Sequence, residues 1–271
     1  NVLVRLKPRP NDQVNQYYMC DTGRLGHRAF NRRDRAEQPL VRQGRTMPIV
    51  DWERAISEAA SLLSARRLVV LASPNLSNES LYLLERLLDA QPGIGAFRVT
   101  RDIEVPLAGA PDLALRSERA ANAGAARLLG FVEAAALDAV LQPGDALLIV
   151  DDQLSGVDLV ALDRASTIVY VGTALPDVLA ARVAVVLPVT NVMEEEGTLT
   201  NLRGRVQRFM QVKAAPGVAR PTWYVLADLL NAMGGNGDFY QPSDVFAALA
   251  NTHPAFAGLS WDALGLRGEL L

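Results

Sequence analysis

The stretch MEEEGTLTNLRGRVQRFM, Met193–Met210, decides how the chain is read. It follows Val183–Pro188, an apolar run that reads as a buried strand. Three acids, Glu194–Glu196, come first, then Gly197, then Thr198 and Thr200 on either side of Leu199, and then Asn201. Gly204 sits between Arg203 and Arg205. A strand that runs into so polar and glycine-punctuated a segment predicts surface rather than core. Two readings stand: a hairpin whose charges are solvated, or a loop with a functional role.

Upstream, strand and helix patterns alternate. Leu68–Ala72 is a continuous apolar run, expected where a strand is buried on both faces of a parallel sheet. Ser73-Pro74-Asn75 ends it, and a helix is predicted from Ser77 to Ala90 with Leu81, Leu84, Leu87 and Leu88 inward. Phe97–Thr100 reads as a short strand and Arg101–Arg119, with its two prolines, as a long loop. Then come helix Val132–Leu141, strand Ala146–Val150, helix Val157–Leu162, strand Thr167–Val171, helix Leu175–Ala181 and strand Val183–Leu187. This order implies right-handed crossovers and an α/β fold with a doubly wound, mostly parallel sheet. Ligands of such sheets bind beyond the strand carboxyl ends, where Asp151-Asp152 and Gly172-Thr173 fall. The aspartates suit Mg²⁺ or a ribose. Helix capping or a solvated turn is the plainer reading.

Other elements flank this core. Asp51 is a good N-cap for a helix whose stripe is Trp52, Ala55, Ile56, Ala59, Ala60, Leu62 and Leu63. A helix is predicted over Pro221–Met233, stopped by Gly234-Gly235, with a short one at Asp244–Asn251 and a compact tail over His253–Leu271. At the other end Val2–Leu6 reads as a strand, broken by Pro8, Pro10 and Asn11-Asp12. Cys20, followed by Gly23, Arg24 and Gly26, lies in a tightly bending segment. Its thiolate would suit an iron–sulfur cluster, but one cysteine cannot hold a cluster, and a lone cysteine is usually a small hydrophobe.

The 271 residues are 49% hydrophobic and 21% charged, ordinary for a globular protein. No apolar run reaches the length of a membrane span, so no direct membrane insertion is expected. The single cysteine excludes an internal disulfide and fits a reducing compartment. The chain opens on Asn1 inside a strand-like pattern, which suggests a fragment. The net charge is −3, yet Arg24, Arg28, Arg32, Arg33, Arg35, Arg42 and Arg45 crowd the first 45 residues. Such a lobe can face nucleic acid, anionic lipid or an acidic partner; more often its arginines pair with a neighbouring domain. Aromatic interleaving is lacking, so no nucleic acid is expected. The glycine-rich dinucleotide and phosphate signatures and the Gly-x-Ser-x-Gly nucleophile motif are missing, and His27 and His253 have no metal-type spacing.

Several stretches carry a family resemblance. Leu187-Pro188 followed by Glu196-Gly197-Thr198-x-Thr200-Asn201-x-x-Gly204-Arg205-Val206-Gln207 resembles a segment of the molybdopterin oxidoreductases. That superfamily includes formate dehydrogenases, nitrate reductases and the large iron–sulfur subunit of respiratory NADH:quinone oxidoreductase, complex I. The Pro39–Ala60 entry, the Asn78-Glu79 helix start, and Ala214–Trp223 are similar to the same superfamily, and Asn122–Gly130 is nearer to its complex I branch. Cys20-Asp21-x-Gly23-Arg24 resembles the end of its 4Fe–4S module. The resemblance implies that Cys20 is the fourth ligand of a 4Fe–4S cluster, possible only with cysteines upstream of Asn1. It implies residues 1–46 as the C-terminal part of that module, 47–213 as the α/β molybdopterin-oxidoreductase-like (formate dehydrogenase-like) domain, and 214–271 as a helical segment packed on it.

The leading expectation is a fragment or short form of that large iron–sulfur subunit, a structural and electron-transfer component with a vestigial pterin-enzyme fold. No catalytic residue, no cofactor-binding residue other than Cys20 and no molybdopterin are expected. Its partners would be the other hydrophilic-arm subunits of complex I, and its place cytoplasmic, peripheral on the inner side of the cell membrane through that complex. The alternative is a molybdenum or tungsten bis-pterin oxidoreductase of the formate dehydrogenase type. Thr198, Thr200, Asn201 and Arg205 would then lie near pterin. Against it stand the short chain and the missing metal ligand, for which Ser117 is the sole serine nearby. A binding-only α/β module is the third reading.

Overall fold

A computed structural model describes residues 2–99, 105–107, 109–115, 118, 120–152, 154 and 159–271, with the backbone alone at 22, 105–107 and 110–115. In chain order the elements are α1 (Asp21–Leu25), β1 (Leu40–Val41), α2 (Trp52–Ser64), β2 (Leu68–Ala72), α3 (Asn78–Ala90) and β3 (Gly93–Phe97). Then come β4 (Val105–Leu107), β5 (Ala110–Leu115), α4 (Ala123–Leu128), β6 (Val132–Glu133), β7 (Ala146–Val150), α5 (Leu159–Leu162), β8 (Thr167–Gly172) and β9 (Val185–Pro188). The hairpin β10 (Gly197–Thr200) and β11 (Arg205–Phe209) leads to α6 (Thr222–Ala232), α7 (Pro242–Thr252), α8 (Trp261–Leu264) and β12 (Glu269–Leu270).

Seven strands form the central sheet in the order β1-β9-β8-β7-β2-β3-β6. Only the edge pair β1–β9 is antiparallel. The chain winds outward from β2 through β3 to β6, then restarts at β7 and winds the other way through β8 to β9. The expected doubly wound, mostly parallel α/β fold is therefore present, with its topological switch between β2 and β7.

Strand periodicity divides the interior in two. Leu68, Val70 and Ala72 of β2, Ala146, Leu148 and Val150 of β7, and Val169 and Val171 of β8 join the core under α2, α3, α6 and α7. Their alternates Val69, Leu71, Leu147, Ile149, Ile168 and Tyr170 join a second core on the opposite face. Both sets are buried, which is why these strands are apolar throughout rather than alternating. The first face carries long helices with firm caps. Asp51 Oδ1 accepts the Arg54 amide at 2.8 Å ahead of α2, and Ser77 Oγ accepts the Ser80 amide at 3.1 Å ahead of α3.

The second face is thinner than the periodicity predicts. The helices expected over Val132–Leu141 and Leu175–Ala181 shrink to single 3₁₀ turns, Leu137–Ala139 and Asp177–Leu179. Sheet pairing wins over helix propensity in the first case. β6 adds to β3, and the Ala134 amide extends that ladder to Phe97 O at 2.9 Å. In the second, Pro176 holds the N-cap extended, and of that turn Leu179 is fully buried in the core with Val178 packed partly against it. Of the helix expected over Val157–Leu162, the described part is α5. The expected strand Phe97–Thr100 lies earlier, at β3, and Thr100 is outside the described residues. Gly95 suits that position, because a Cβ there would come within 2.6 Å of the Phe131 ring. Within the expected loop Arg101–Arg119, β4 and β5 pair as an antiparallel hairpin.

Val2–Leu6 is not a strand; instead the Leu3 amide and carbonyl are both bonded by the Asn31 side chain, at 2.9 and 2.7 Å. In the tail, which the sequence pattern reads only as a compact segment, Glu269–Leu270 form the short strand β12. It closes a three-stranded sheet β10-β11-β12 that brings the C-terminus back to the hairpin.

The central position of Leu148, fully buried on β7, makes a direct test of this layering. Leu148→Ala is expected to lower unfolding stability by about 2–5 kcal/mol in denaturant titration, whereas Val160→Ala, at a site 82% exposed, should stay within about 0.5 kcal/mol of the unmodified chain.

Candidate functional site: a buried polar junction beneath the hairpin

The hairpin predicted from Met193–Met210 is present, with Thr198 opposite Arg208 and Thr200 opposite Val206. Its expected solvation is not. Thr198, Thr200, Glu194 and Glu195 are all buried. The reason lies about 120 residues upstream, in the first turn of α3.

Ser77 caps α3, and this puts Asn78 and Glu79 at its first two positions, with side chains turned inward and fully buried. Glu79 Oε1 accepts the Thr198 hydroxyl at 2.6 Å, and Oε2 accepts the Thr198 amide at 2.9 Å. Asn78 Nδ2 donates to Thr198 Oγ1 at 2.9 Å, while its Oδ1 accepts the Thr200 hydroxyl at 3.1 Å and Asn122 Nδ2 at 2.9 Å. Asn122, just ahead of α4, returns a bond to the hairpin by accepting the Thr200 amide at 2.8 Å. Gly197 is required by this closeness. A Cβ there would stand 2.9 Å from Glu79 Oε2 and 3.0 Å from the Phe209 ring.

A second carboxylate closes the other side. Glu195 Oε2 accepts the Thr190 hydroxyl at 2.9 Å and the Thr222 amide, at the start of α6, at 2.8 Å. Two buried acids thus meet two helix N-termini, where the orphan amides and the dipole favour negative charge. Burial nevertheless pushes the Glu79 carboxyl up to about 7, with the Thr198 bonds pulling the other way. Burial does the same to Glu195, also to about 7, and the nearby charge of Glu79 adds to it.

Glu194 is built differently. Arg35 grips it with two bonds of 2.9 and 2.8 Å, Lys213 adds an ion pair at 3.2 Å, and the Asn191 amide donates at 3.1 Å. Burial pushes this carboxyl up, but the Arg35, Asn191 and Lys213 contacts outweigh it and the net shift is down. Arg35 also donates to Thr173 O and Val189 O, which ties the N-terminal segment to the ends of β8 and β9.

At the sheet's switch point, Asp151 has a φ of +49° and its Oδ1 accepts both the amide and the hydroxyl of Thr173, at 3.0 and 2.8 Å. Asp152 pairs with Arg98 at 2.6 Å. These contacts give both aspartates structural work inside the chain. Ser117 lies outside the described residues. His253 accepts the Ala255 amide and meets Leu128 O at 2.9 Å, a structural use. Among the described residues no three His, Cys, Asp or Glu side chains gather as a metal site. Cys20 is exposed, its Sγ 3.3 Å from the Gly23 amide, and lines a hollow of about 690 Å³ with Tyr18, Met19 and Arg203.

The pterin-type set of Thr198, Thr200, Asn201 and Arg205 is therefore brought together, but each is turned to the protein. Asn201 Oδ1 accepts the Arg203 and Arg205 amides at 2.9 and 3.0 Å, and Arg205 donates to Gly268 O at 2.7 Å. With the threonines buried and paired, this set does not fit a bound pterin.

The sequence profile described as molybdopterin oxidoreductase matches residues 113–232. Those residues are therefore similar to a molybdopterin oxidoreductase domain. The match spans α4 through α6 and includes the hairpin, while β2 and α3, which lie before it, complete the same sheet and junction. A putative formate dehydrogenase, YrhE, of Bacillus subtilis is 31% identical over 142 residues, 51% of this chain and 14% of that protein. An NADH-quinone oxidoreductase subunit of Pseudomonas fluorescens is 42% identical over 89 residues, 33% of this chain and 10% of that protein. The F420-dependent formate dehydrogenase 2 subunit alpha of Methanococcus maripaludis is 38% identical over 86 residues, 31% of this chain and 13% of that protein. The chain thus spans between a tenth and a seventh of these relatives and is homologous to both branches.

The buried acids set a pH dependence. Their pKa is raised in the fold, to about 7, above the ordinary value of 4.5, so between those values the folded chain holds more protons than the unfolded one. Stability should fall as pH rises from about 5 to 7 and level off above, at up to about 1.4 kcal/mol per pH unit for each acid. Chemical unfolding at a series of pH values should show this slope, and Glu79→Gln should flatten its share. Thr198→Val, which leaves Glu79 and Asn78 short of a partner, is expected to cost about 1–3 kcal/mol in the same measurement.

Proposed function

We propose that the chain is part of the large iron–sulfur subunit of an NADH:quinone oxidoreductase. Its α/β body acts as a framework that holds redox neighbours in place rather than as a pterin enzyme. The observation that carries this reading is the inward use of the hairpin's polar groups. The donors that a pterin would need at Thr198, Thr200 and Arg205 are committed to Glu79, Asn78 and Gly268. The 42% identity to the Pseudomonas fluorescens NADH-quinone oxidoreductase subunit supports the same branch. In this reading residues 1–46 end a 4Fe–4S module, 47–213 form the framework and 214–271 brace it.

Cys20 is proposed as one thiolate of a 4Fe–4S cluster completed by ligands outside the present sequence. Such a cluster would supply single-electron transfer; this chain contributes one sulfur and the Gly23 amide beside it. The partners are the other hydrophilic-arm subunits. Peripheral attachment on the cytoplasmic side follows from that assembly. No helix among the described residues is long and apolar enough to cross a membrane.

A second reading, a formate dehydrogenase-type bis-pterin enzyme, is favoured by the length of the match to the Bacillus subtilis protein, 142 residues. Metal and pterin analysis of the full-length polypeptide separates the two. The framework reading expects neither molybdenum nor tungsten nor pterin, together with co-purification of other hydrophilic-arm subunits; near-stoichiometric metal and pterin would overturn it. For Cys20, electron paramagnetic resonance after reduction should show one cluster signal lost or altered in Cys20→Ala, and an unchanged spectrum would remove the ligand assignment.

A further inference from the structure

The loop that leaves α6 holds the one Asn-Gly step of the sequence, Asn236-Gly237. In an unfolded chain such a step is open to loss of ammonia, because a glycine without a Cβ lets its amide nitrogen reach the preceding side chain. The fold shows why glycine stands at 237. The backbone there lies against the body of α6, and a Cβ would come within 2.2 Å of Ala227 O and 3.0 Å of its carbonyl carbon. Gly237 is buried, whereas Asn236 is exposed. Close packing on the helix therefore imposes a chemically labile pair on this loop.

The same turn carries a guard. Asn231, in the last turn of α6, accepts the Gly237 amide through Oδ1 at 2.7 Å and donates through Nδ2 to Asp238 Oδ1 at 3.1 Å. Gly234, with a φ of +85°, turns the chain back, and the Gly235 amide returns to Leu230 O at 2.9 Å. The Gly237 nitrogen thus has its single proton committed to a short bond inside the protein, and that proton must leave before the nitrogen can attack. Asn236 Oδ1 has only a long contact, 3.4 Å from the Asp238 amide. The nucleophile, rather than the side chain it would attack, is the locked partner.

We propose that Asn236 is a latent deamidation site that Asn231 keeps closed, modified only when the end of α6 opens. In the open state the Gly237 amide nitrogen gives its proton to solvent and attacks Asn236 Cγ. A new C–N bond forms, the bond from Cγ to the side-chain nitrogen breaks, and that nitrogen takes a solvent proton and leaves as ammonia. Water then adds to either carbonyl of the cyclic imide and leaves aspartate or isoaspartate. Nothing is oxidised or reduced. Each event sets a new carboxylate close to Asp238, and the isoaspartate form inserts an extra carbon into the main chain. Helix ends open more readily than packed centres, so the modification records how often this end lets go. It holds whichever redox assembly the chain serves.

The test incubates the full-length polypeptide, folded and in denaturant, at one mildly alkaline pH. Position 236 is read by peptide mass, with aspartate and isoaspartate separated by chromatography. Deamidation of the folded protein should be slower than that of the unfolded chain by at least about tenfold, the scale of one retained hydrogen bond. Asn231 is exposed, so Asn231→Ala should fold, and its folded rate should rise to within about threefold of its own unfolded rate. Asp238→Ala removes only the Nδ2 contact and should stay as protected as the unmodified chain, which separates the bond to Gly237 from general stiffening of the loop. Equal rates in the folded and unfolded protein would overturn the proposal. So would an Asn231→Ala protein that keeps both the unmodified unfolding midpoint and the unmodified rate. Should that variant fail to fold, hydrogen exchange of the Gly237 amide in the unmodified protein decides: slow exchange supports the lock, and exchange as fast as that of an exposed loop amide ends it.

Discussion

Burying an ionisable side chain in the first turn of a helix is the constraint on which the arrangement depends. Glu79 and Asn78 have no solvent, so every polar atom they carry must be met from within. The chain meets it from two distant places, Thr198–Thr200 on the hairpin and Asn122 ahead of α4. A polar group left without its partner in such a place costs about 1–3 kcal/mol, so displacing the hairpin by one residue would forfeit several such bonds at once. Because strand side chains alternate, a one-residue slip would also turn Thr198 and Thr200 outward and Leu199 inward. Register and burial are therefore the same requirement.

The ion pair of Arg35 with Glu194 extends this logic to the N-terminal segment. Both side chains are almost without solvent, so the pair gains little net stability over an apolar contact, but losing one partner leaves a buried charge. Its value is positional. Arg35 touches the ends of β8 and β9 and the acid that opens the hairpin, a few residues ahead of β1, which pairs along β9 at the sheet edge. The segment before Arg35 receives no such anchoring from apolar packing. It is held by local contacts such as Asn31 with Leu3 and by single bonds such as Arg9 with Arg208 O.

Much of the body was legible from sequence. Leu68–Ala72 and Ala146–Val150 are continuous apolar runs, and a strand buried on two faces leaves no other pattern. Capped amphipathic helices such as α2 are legible for a similar reason: Asp51 and the stripe from Ala55 to Leu63 carry their information locally. What failed was non-local. The Ala-rich stretch after Val132 has helix propensity, but pairing to β3 claims its first residues. The threonines of the hairpin look solvent-directed until Asn78 and Glu79 are brought beside them. Asn78-Glu79 was visible as a helix start, and the alternation Gly197-Thr198-Leu199-Thr200 as a strand. No local signal joins the two, because the contact spans about 120 residues.

The same hydroxyls cannot serve two masters. Thr198 Oγ1 has one proton, and Glu79 Oε1 takes it at 2.6 Å. To present that hydroxyl to a ligand, the hairpin would have to release a buried carboxylate whose other oxygen holds the Thr198 amide. Thr200 is bound in the same way to Asn78, and Asn78 to Asn122, so freeing one donor unsettles three residues on three elements. A loop that was free to bind would need this junction to be loose, and the junction can be tight only if the loop is closed. The stability of the hairpin and its availability to a cofactor are competing uses of one set of atoms, and in this chain the distances assign them to the fold.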